Sequence, residues 1–82
     1  MLASVKTITN SQHRREALGR VLRERREGMG VSQEKLGELV DCHRNYVGLI
    51  ERGQQNITID MLGRFACALQ CAISEIMKEA GV

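Results

Sequence analysis

Four consecutive hydrogen-bonding side chains, HRNY at residues 43–46, open a short segment that also carries Val47 and Ile50. An imidazole, a guanidinium, an amide and a phenol donate and accept hydrogen bonds, so the segment can recognise a polar partner. Catalysis is a poor explanation of the pattern, because His13 and His43 have no carboxylate or cysteine at catalytic spacing. The sequence also has no glycine-rich phosphate loop. We therefore predict that the protein is not an enzyme.

The cysteines do not indicate a metal or a cofactor. There are three of them, an odd number, at positions 42, 67 and 71, and no spacing matches a zinc site. Cys42-His43 is too sparse a pair to hold a metal, so none is predicted. With no signal peptide and no apolar run of transmembrane length, free thiols fit a reducing cytoplasm and no membrane partner.

Length and composition predict one small helical domain. The chain has 82 residues, no proline, one phenylalanine and one tyrosine, and its Glu, Arg and Leu-rich stretches favour helices over strands. Charge is unevenly distributed: residues 1–26 carry seven basic and two acidic residues, whereas 27–82 carry five basic and eight acidic. The basic segment indicates either an anionic partner or a solvated helix face with internal pairing.

Periodicity divides the chain into a flexible arm, residues 1–10, and a single domain, 11–82, of five short helices. The first helix is predicted from about 11 to 28. Ser32 caps the second, whose apolar stripe is Leu36, Leu39 and Val40. The third runs from about 44 to 52. Thr58 caps the fourth, and the last covers about 73 to 80.

The second and third helices must cross, because the turn between them is too short for an antiparallel return. Asp41 tolerates the left-handed conformation in that turn, and Gly37 allows the two helices to approach closely. Val47 and Ile50 face this contact. The remaining residues of the third helix project outward; these are Arg44, Asn45, Tyr46, Gly48 and Leu49.

At these positions the chain resembles the Xre, or lambda-repressor-like, helix-turn-helix family. The matching residues are Leu22, Arg26, GVSQEKLG at 30–37, Val47, IERG at 50–53, Leu62, Phe65, Ala66 and Leu69. The resemblance implies an all-α, compact five-helix lambda-repressor-like DNA-binding domain, with the helix-turn-helix at helices 2 and 3. RNYVGLIERGQQN is most similar to restriction-modification controller proteins and small phage-type regulators. Asp41, Gln70 and Ala72 depart from the family pattern.

The resemblance also implies residue roles, because the third helix of this family enters the DNA major groove by its N-terminal end. Base-reading residues would be Arg44, Asn45, Tyr46, Gly48 and Leu49. Phosphate contacts would come from Ser32, Gln33, Arg52, Gln54, Gln55 and Asn56. Arg26 and Glu51 would form a buried structural ion pair. For Tyr46, packing against a neighbouring helix is the alternative. For Gln33 the alternative is a plain neighbour of the helix N-cap, and for the loop residues it is simple solvation.

The expected function is a sequence-specific regulator that binds double-stranded DNA as a homodimer on a pseudo-palindromic operator. Ile73, Ile76 and Met77 form the predicted dimer surface at one side of the last helix; alternatively, Ile73 and Ile76 close the core. A second functional hypothesis is an antitoxin whose main partner is a toxin protein, since one fold serves both roles. No small-molecule ligand is expected.

Overall fold

The computed structural model describes residues 10–82. Nearly all of the predicted arm, residues 1–9, lies outside the described residues. Within 10–82 all regular structure is helical, in agreement with the predicted all-α fold. The five helices are α1 Ser11–Gly28, α2 Gln33–Val40, α3 Arg44–Glu51, α4 Ile59–Ala68 and α5 Ile73–Ala80.

Side-chain caps set the starts of the helices. The Ser32 Oγ accepts a hydrogen bond from the backbone N–H of Lys35, and Thr58 Oγ1 accepts from Met61. Each bond satisfies a backbone donor that has no partner within the helix. The Asn10 side chain caps α1 in the same way. Both of the caps predicted from the sequence are therefore confirmed.

The start of α5 uses a different solution, because Ala72 has no side chain that could cap it. Here the Glu75 carboxylate accepts from the backbone N–H of Ala72 at 2.9 Å. The preceding Gln70 takes the left-handed conformation, with φ of 58°. These two departures from the family pattern thus leave α5 starting at Ile73, the position predicted.

A single apolar core joins all five helices, and its fully covered side chains include Phe65, Leu22 and Ile50. Leu36 and Val40 of α2 lie in it, as their spacing predicted. The prediction that Leu39 lies on the same stripe is wrong, because its residue surface is 52% exposed. A two-turn helix presents only a narrow face to the core, and in α2 this face consists of Leu36 and Val40.

The surface position predicted for Ile76 is also wrong. Its exposure is 0%, and it belongs to the same core as Leu22. The reason is that α5 packs along α1 and turns this side chain inward. Ile73 and Met77, the other members of the predicted dimer surface, are half-buried at the edge of the core.

Two glycines allow backbones to come into direct contact. A Cβ on Gly37 would lie 2.6 Å from the carbonyl oxygen of Cys42, which explains how α2 and α3 cross so closely. A Cβ on Gly19 would lie 2.3 Å from the carbonyl oxygen of Ile50, so α1 packs against the end of α3 at a position where only glycine fits. Asp41 makes the turn with φ of 59°, the left-handed conformation predicted for it.

None of the helices within residues 10–82 combines the length and the apolar character that crossing a membrane requires.

Candidate nucleic-acid interface

Side chains of α2 and α3 meet in one shallow groove of about 320 Å³. Gln33 contributes from the start of α2. The other residues belong to α3 and its C-cap: Arg44, Asn45, Gly48, Leu49 and Arg52. The groove therefore brings together four of the five predicted base-reading residues and two of the predicted phosphate contacts.

The first turn of α3 presents Arg44 and Asn45 to solvent. His43 precedes the helix, and its Nδ1 accepts from the backbone N–H of Asn45 at 3.0 Å. The imidazole is thus used as a helix cap. Arg44 pairs with Glu34 at 3.2 Å, but both side chains are more than 60% exposed. Because such an exposed pair contributes little, Arg44 can exchange it for another hydrogen-bonding partner.

Gly48 is buried and has no side chain, so it leaves room in the groove for its neighbours. The guanidinium of Arg52 lies over it, with Nη1 3.0 Å from the position of a Cβ. Arg52 Nε also donates to Gln54 Oε1 at 3.2 Å. Arg52 is therefore directed into the groove beside Leu49.

A buried ion pair between α1 and α3 is hydrogen-bonded to Gln33, one of the residues that line the groove. Arg26 donates to Glu51 through Nε at 2.6 Å and Nη2 at 3.1 Å, and through Nη1 to the Val31 carbonyl at 2.8 Å. The hydrogen bond to Glu51 is the main reason that the pKa of Arg26 is raised. Gln33 Nε2 donates to the same carboxylate at 3.0 Å, so the pair predicted from the sequence is present and also orients Gln33.

Comparison with known proteins identifies the family to which a chain with this arrangement of helices belongs. Residues 22–76 match the model of the helix-turn-helix family. The chain belongs to this family. It is 32% identical to the control protein C.SmaI of Serratia marcescens over 68 residues, which cover 83% of this chain and 81% of that protein.

Two solved structures are also similar to this helix-turn-helix protein. The clp gene regulator ClgR from Corynebacterium glutamicum superposes with a TM-score of 0.81 at 31% identity, covering 83% of this chain and 72% of that one. The restriction-modification controller protein C.AhdI from Aeromonas hydrophila superposes with a TM-score of 0.73 at 39% identity, covering 74% and 92%. The protein is therefore a DNA-binding helix-turn-helix regulator.

Within this helix-turn-helix fold, Tyr46 is not among the residues that line the groove. It is half-buried against the core, and its hydroxyl lies 3.5 Å from the carbonyl oxygen of Asn56. Burial is the main cause of its raised pKa, so the phenol stays neutral at physiological pH. The contact agrees with the packing role that was the alternative for Tyr46.

The remaining predicted phosphate contacts lie at the two ends of the helix-turn-helix. Ser32 is exposed at the start of α2, where its oxygen already serves as the cap. Gln54, Gln55 and Asn56 are all exposed in the loop that follows α3. The groove does not include these four residues.

Sequence reasoning missed two residues of α1 that hold this loop. Gln12 Nε2 donates to the Gly53 carbonyl at 3.2 Å, and Arg15 Nε donates to the same oxygen at 3.4 Å. Arg15 Nη1 also donates to Asn56 Oδ1 at 3.3 Å. No local pattern could reveal these contacts, because the partners are separated by about 40 residues.

Proposed function

We propose that this protein is a sequence-specific transcriptional regulator of the restriction-modification controller type, and that it binds a pseudo-palindromic operator as a homodimer. The observation that carries the proposal is the groove, where Gln33 of α2 and Arg44 and Asn45 of α3 lie side by side on an exposed face. These are the residue types that recognise DNA backbones and base edges.

In the proposed complex, α3 lies in the major groove with its first turn toward the bases. Arg44 would offer its fork to the O6 and N7 atoms of guanine, and Asn45 would pair with adenine. Leu49, half-buried at the groove wall, would contact a thymine methyl group. Because Arg44 and Asn45 are both exposed, neither has to leave a buried position to do so.

Backbone contacts would flank these base contacts. Ser32 and Gln33 stand at the start of α2, where unpaired backbone N–H groups favour a phosphate. Gln33 uses one amide N–H for Glu51, which leaves the second for the DNA. Arg52 and the exposed loop residues 54–56 would contact the phosphates at the other end of α3.

Three apolar residues at the surface support a dimer. Because Ile76 is buried, the dimer surface that we propose contains a residue of α4 in its place. Ile73 and Met77 share one side of α5 and are half-buried. Ile73 Cδ1 lies 3.9 Å from the Cβ position of Gly63, which shares a face of α4 with Ile59. Ile59 is 67% exposed, a large value for an isoleucine. We define Ile59, Ile73 and Met77 as the apolar strip, and a two-fold contact through it would pair two α3 helices.

The relatives support the controller type over an antitoxin. C.SmaI is a control protein, and C.AhdI is a restriction-modification controller protein to which this chain is 39% identical. The chain spans most of each of these two proteins, 81% and 92% of their lengths. The regulated genes would then be those of a restriction-modification system.

The direct test of sequence reading is selection of bound fragments from a random DNA pool. We expect a pseudo-palindromic site for the native protein. Arg44→Ala should weaken binding to that site by about 1–3 kcal/mol and remove the preference at one base pair per half-site. Arg23→Ala, on an exposed position of α1, is the matched control and should leave the selected site unchanged. An unchanged preference in Arg44→Ala would contradict the reading role.

Assembly is tested separately by sedimentation. Ile59→Glu should give a folded monomer that binds the selected site far more weakly, because a buried charge opposes association. Leu39→Glu adds the same charge at another exposed apolar position, 52% exposed on α2, and should remain dimeric. A dimer of Ile59→Glu that persists at micromolar concentration would place the interface outside the apolar strip.

A further inference from the structure

Arg15 is a cation held by neutral acceptors. Its Nη2 donates to Gln12 Oε1 at 2.7 Å, its Nη1 to Asn56 Oδ1 at 3.3 Å and its Nε to the Gly53 carbonyl at 3.4 Å. Among residues 10–82 it forms no ion pair with a carboxylate within 4 Å, whereas Arg20, a neighbour on α1, pairs with a glutamate. The charge of Arg15 is therefore not neutralised by a carboxylate of the described residues.

The position of Arg15 is continuous with the proposed DNA-binding surface. Asn56 accepts from Arg15 through its side chain, and its backbone carbonyl lies 3.5 Å from the Tyr46 hydroxyl. Tyr46 belongs to the first turn of α3. Arg15 thus lies two contacts away from the helix that would enter the major groove, on the side of the exposed loop 54–56.

We propose that Arg15 binds a DNA phosphate, so that α1 extends the interface beyond the helix-turn-helix. The inference rests on the proposed function. A guanidinium has five N–H donors, of which Arg15 uses three within the protein. One N–H remains on each terminal nitrogen, and such a pair suits the bidentate binding of a phosphate. The three internal bonds hold the guanidinium in place before the DNA arrives.

The experiment measures DNA affinity at a series of salt concentrations. Each phosphate contact adds about 0.9 to the slope of log K against log salt through counterion release. We expect Arg15→Gln to lower this slope by about 1 per subunit. Arg15→Lys should keep the native slope although its affinity falls, because an ammonium supplies the charge without the fork. Arg20→Gln removes a charge from the same helix, next to Glu24, and should leave the slope unchanged.

Several outcomes would overturn the proposal. A native slope in Arg15→Gln would show that no phosphate is lost. Equal losses in Arg15→Gln and Arg20→Gln would show a general charge effect. An equal loss in Arg15→Lys would show that Arg15 acts only by holding the loop. Circular dichroism checks each variant, and if Arg15→Gln does not fold, Arg15→Met replaces it as the variant without a charge and should lower the slope by the same amount. A salt-independent affinity in the native protein would instead refute the proposed DNA binding itself.

Discussion

Arg25 and Arg26 are neighbours in α1, and each pairs with a glutamate of another helix, yet the two pairs lie in different surroundings. Arg26 meets Glu51 of α3 with side chains that are 10% and 1% exposed. Arg25 meets Glu79 of α5 with side chains that are 25% and 48% exposed. Both arginines have a raised pKa, chiefly through the hydrogen bond to their glutamate. We therefore expect the two pairs to differ strongly in how much stability is lost when one partner is removed, because that loss depends on burial.

The two helix contacts, α1 with α3 and α1 with α5, also differ in the residues that surround each ion pair. At α1–α3, Gly19 brings backbones together and Gln33 shares the Glu51 carboxylate, so the pair is fixed from several sides. Where α1 packs against α5, Ile76 is fully buried in the core, whereas the ion pair between Arg25 and Glu79 is partly exposed to solvent. We therefore expect ions and backbone contact to dominate the first interface, and the isoleucine to dominate the second.

The largest expected effect is that of Glu51→Gln. The substitution keeps the shape of the side chain but leaves the Arg26 charge buried without its counterion, which should lower the free energy of unfolding by about 3–5 kcal/mol. Urea unfolding followed by circular dichroism measures it. A loss below about 1 kcal/mol would mean that the pair behaves like a surface pair.

At the second interface, Ile76→Ala should lower the free energy of unfolding by about 2–5 kcal/mol, because it leaves a cavity between α5 and α1. Leu39→Ala is the control, since it truncates an apolar side chain that lies outside the apolar strip and is 52% exposed, and it should cost clearly less. Thermal unfolding of both variants gives the comparison. Equal losses would contradict the core position of Ile76.

Gly19→Ala tests the close approach of α1 and α3. The new Cβ would lie 2.3 Å from the Ile50 carbonyl oxygen, so the helices must shift, at about 1–3 kcal/mol. Gly28→Ala changes the same residue type in the same helix where nothing lies within 4 Å, and it should leave the stability unchanged or slightly higher. The two urea midpoints decide whether backbone contact limits this interface.

Glu79→Gln should have a much smaller effect than Glu51→Gln, with a urea midpoint close to that of the native protein. The side chain of Glu79 is half exposed, so water replaces the lost partner of Arg25. A midpoint lowered as far as in Glu51→Gln would remove the distinction between the two pairs.

The smallest effect concerns salt. Any difference in unfolding midpoint between Glu79→Gln and the native protein should vanish near 1 M salt, where the screening length is about 3 Å. The difference caused by Glu51→Gln should persist, because salt does not enter the buried contact. Unfolding midpoints of both variants at low and high sodium chloride measure this.

Local signals in the sequence predicted much of the fold but only part of the candidate interface. Ser32 and Thr58 act through bonds to residues three positions away, so the helix starts followed directly from them. Leu39 shows the limit of such reasoning, because its spacing fits an apolar stripe although half of its surface is exposed to solvent. The contact of Arg15 with the loop after α3 could not be predicted, because its partner Asn56 is about 40 residues away in the chain.

By itself, the sequence determined the five helices, the crossed pair α2–α3 and the polar first turn of α3, because caps, glycines and apolar spacing act over one or two turns. Only the tertiary structure decided that Ile76 is core, that Arg52 lies over Gly48 and that Gln33 shares the carboxylate of Glu51. These facts depend on how α1, α3 and α5 pack, and packing is set by the shapes of side chains that are far apart in the chain.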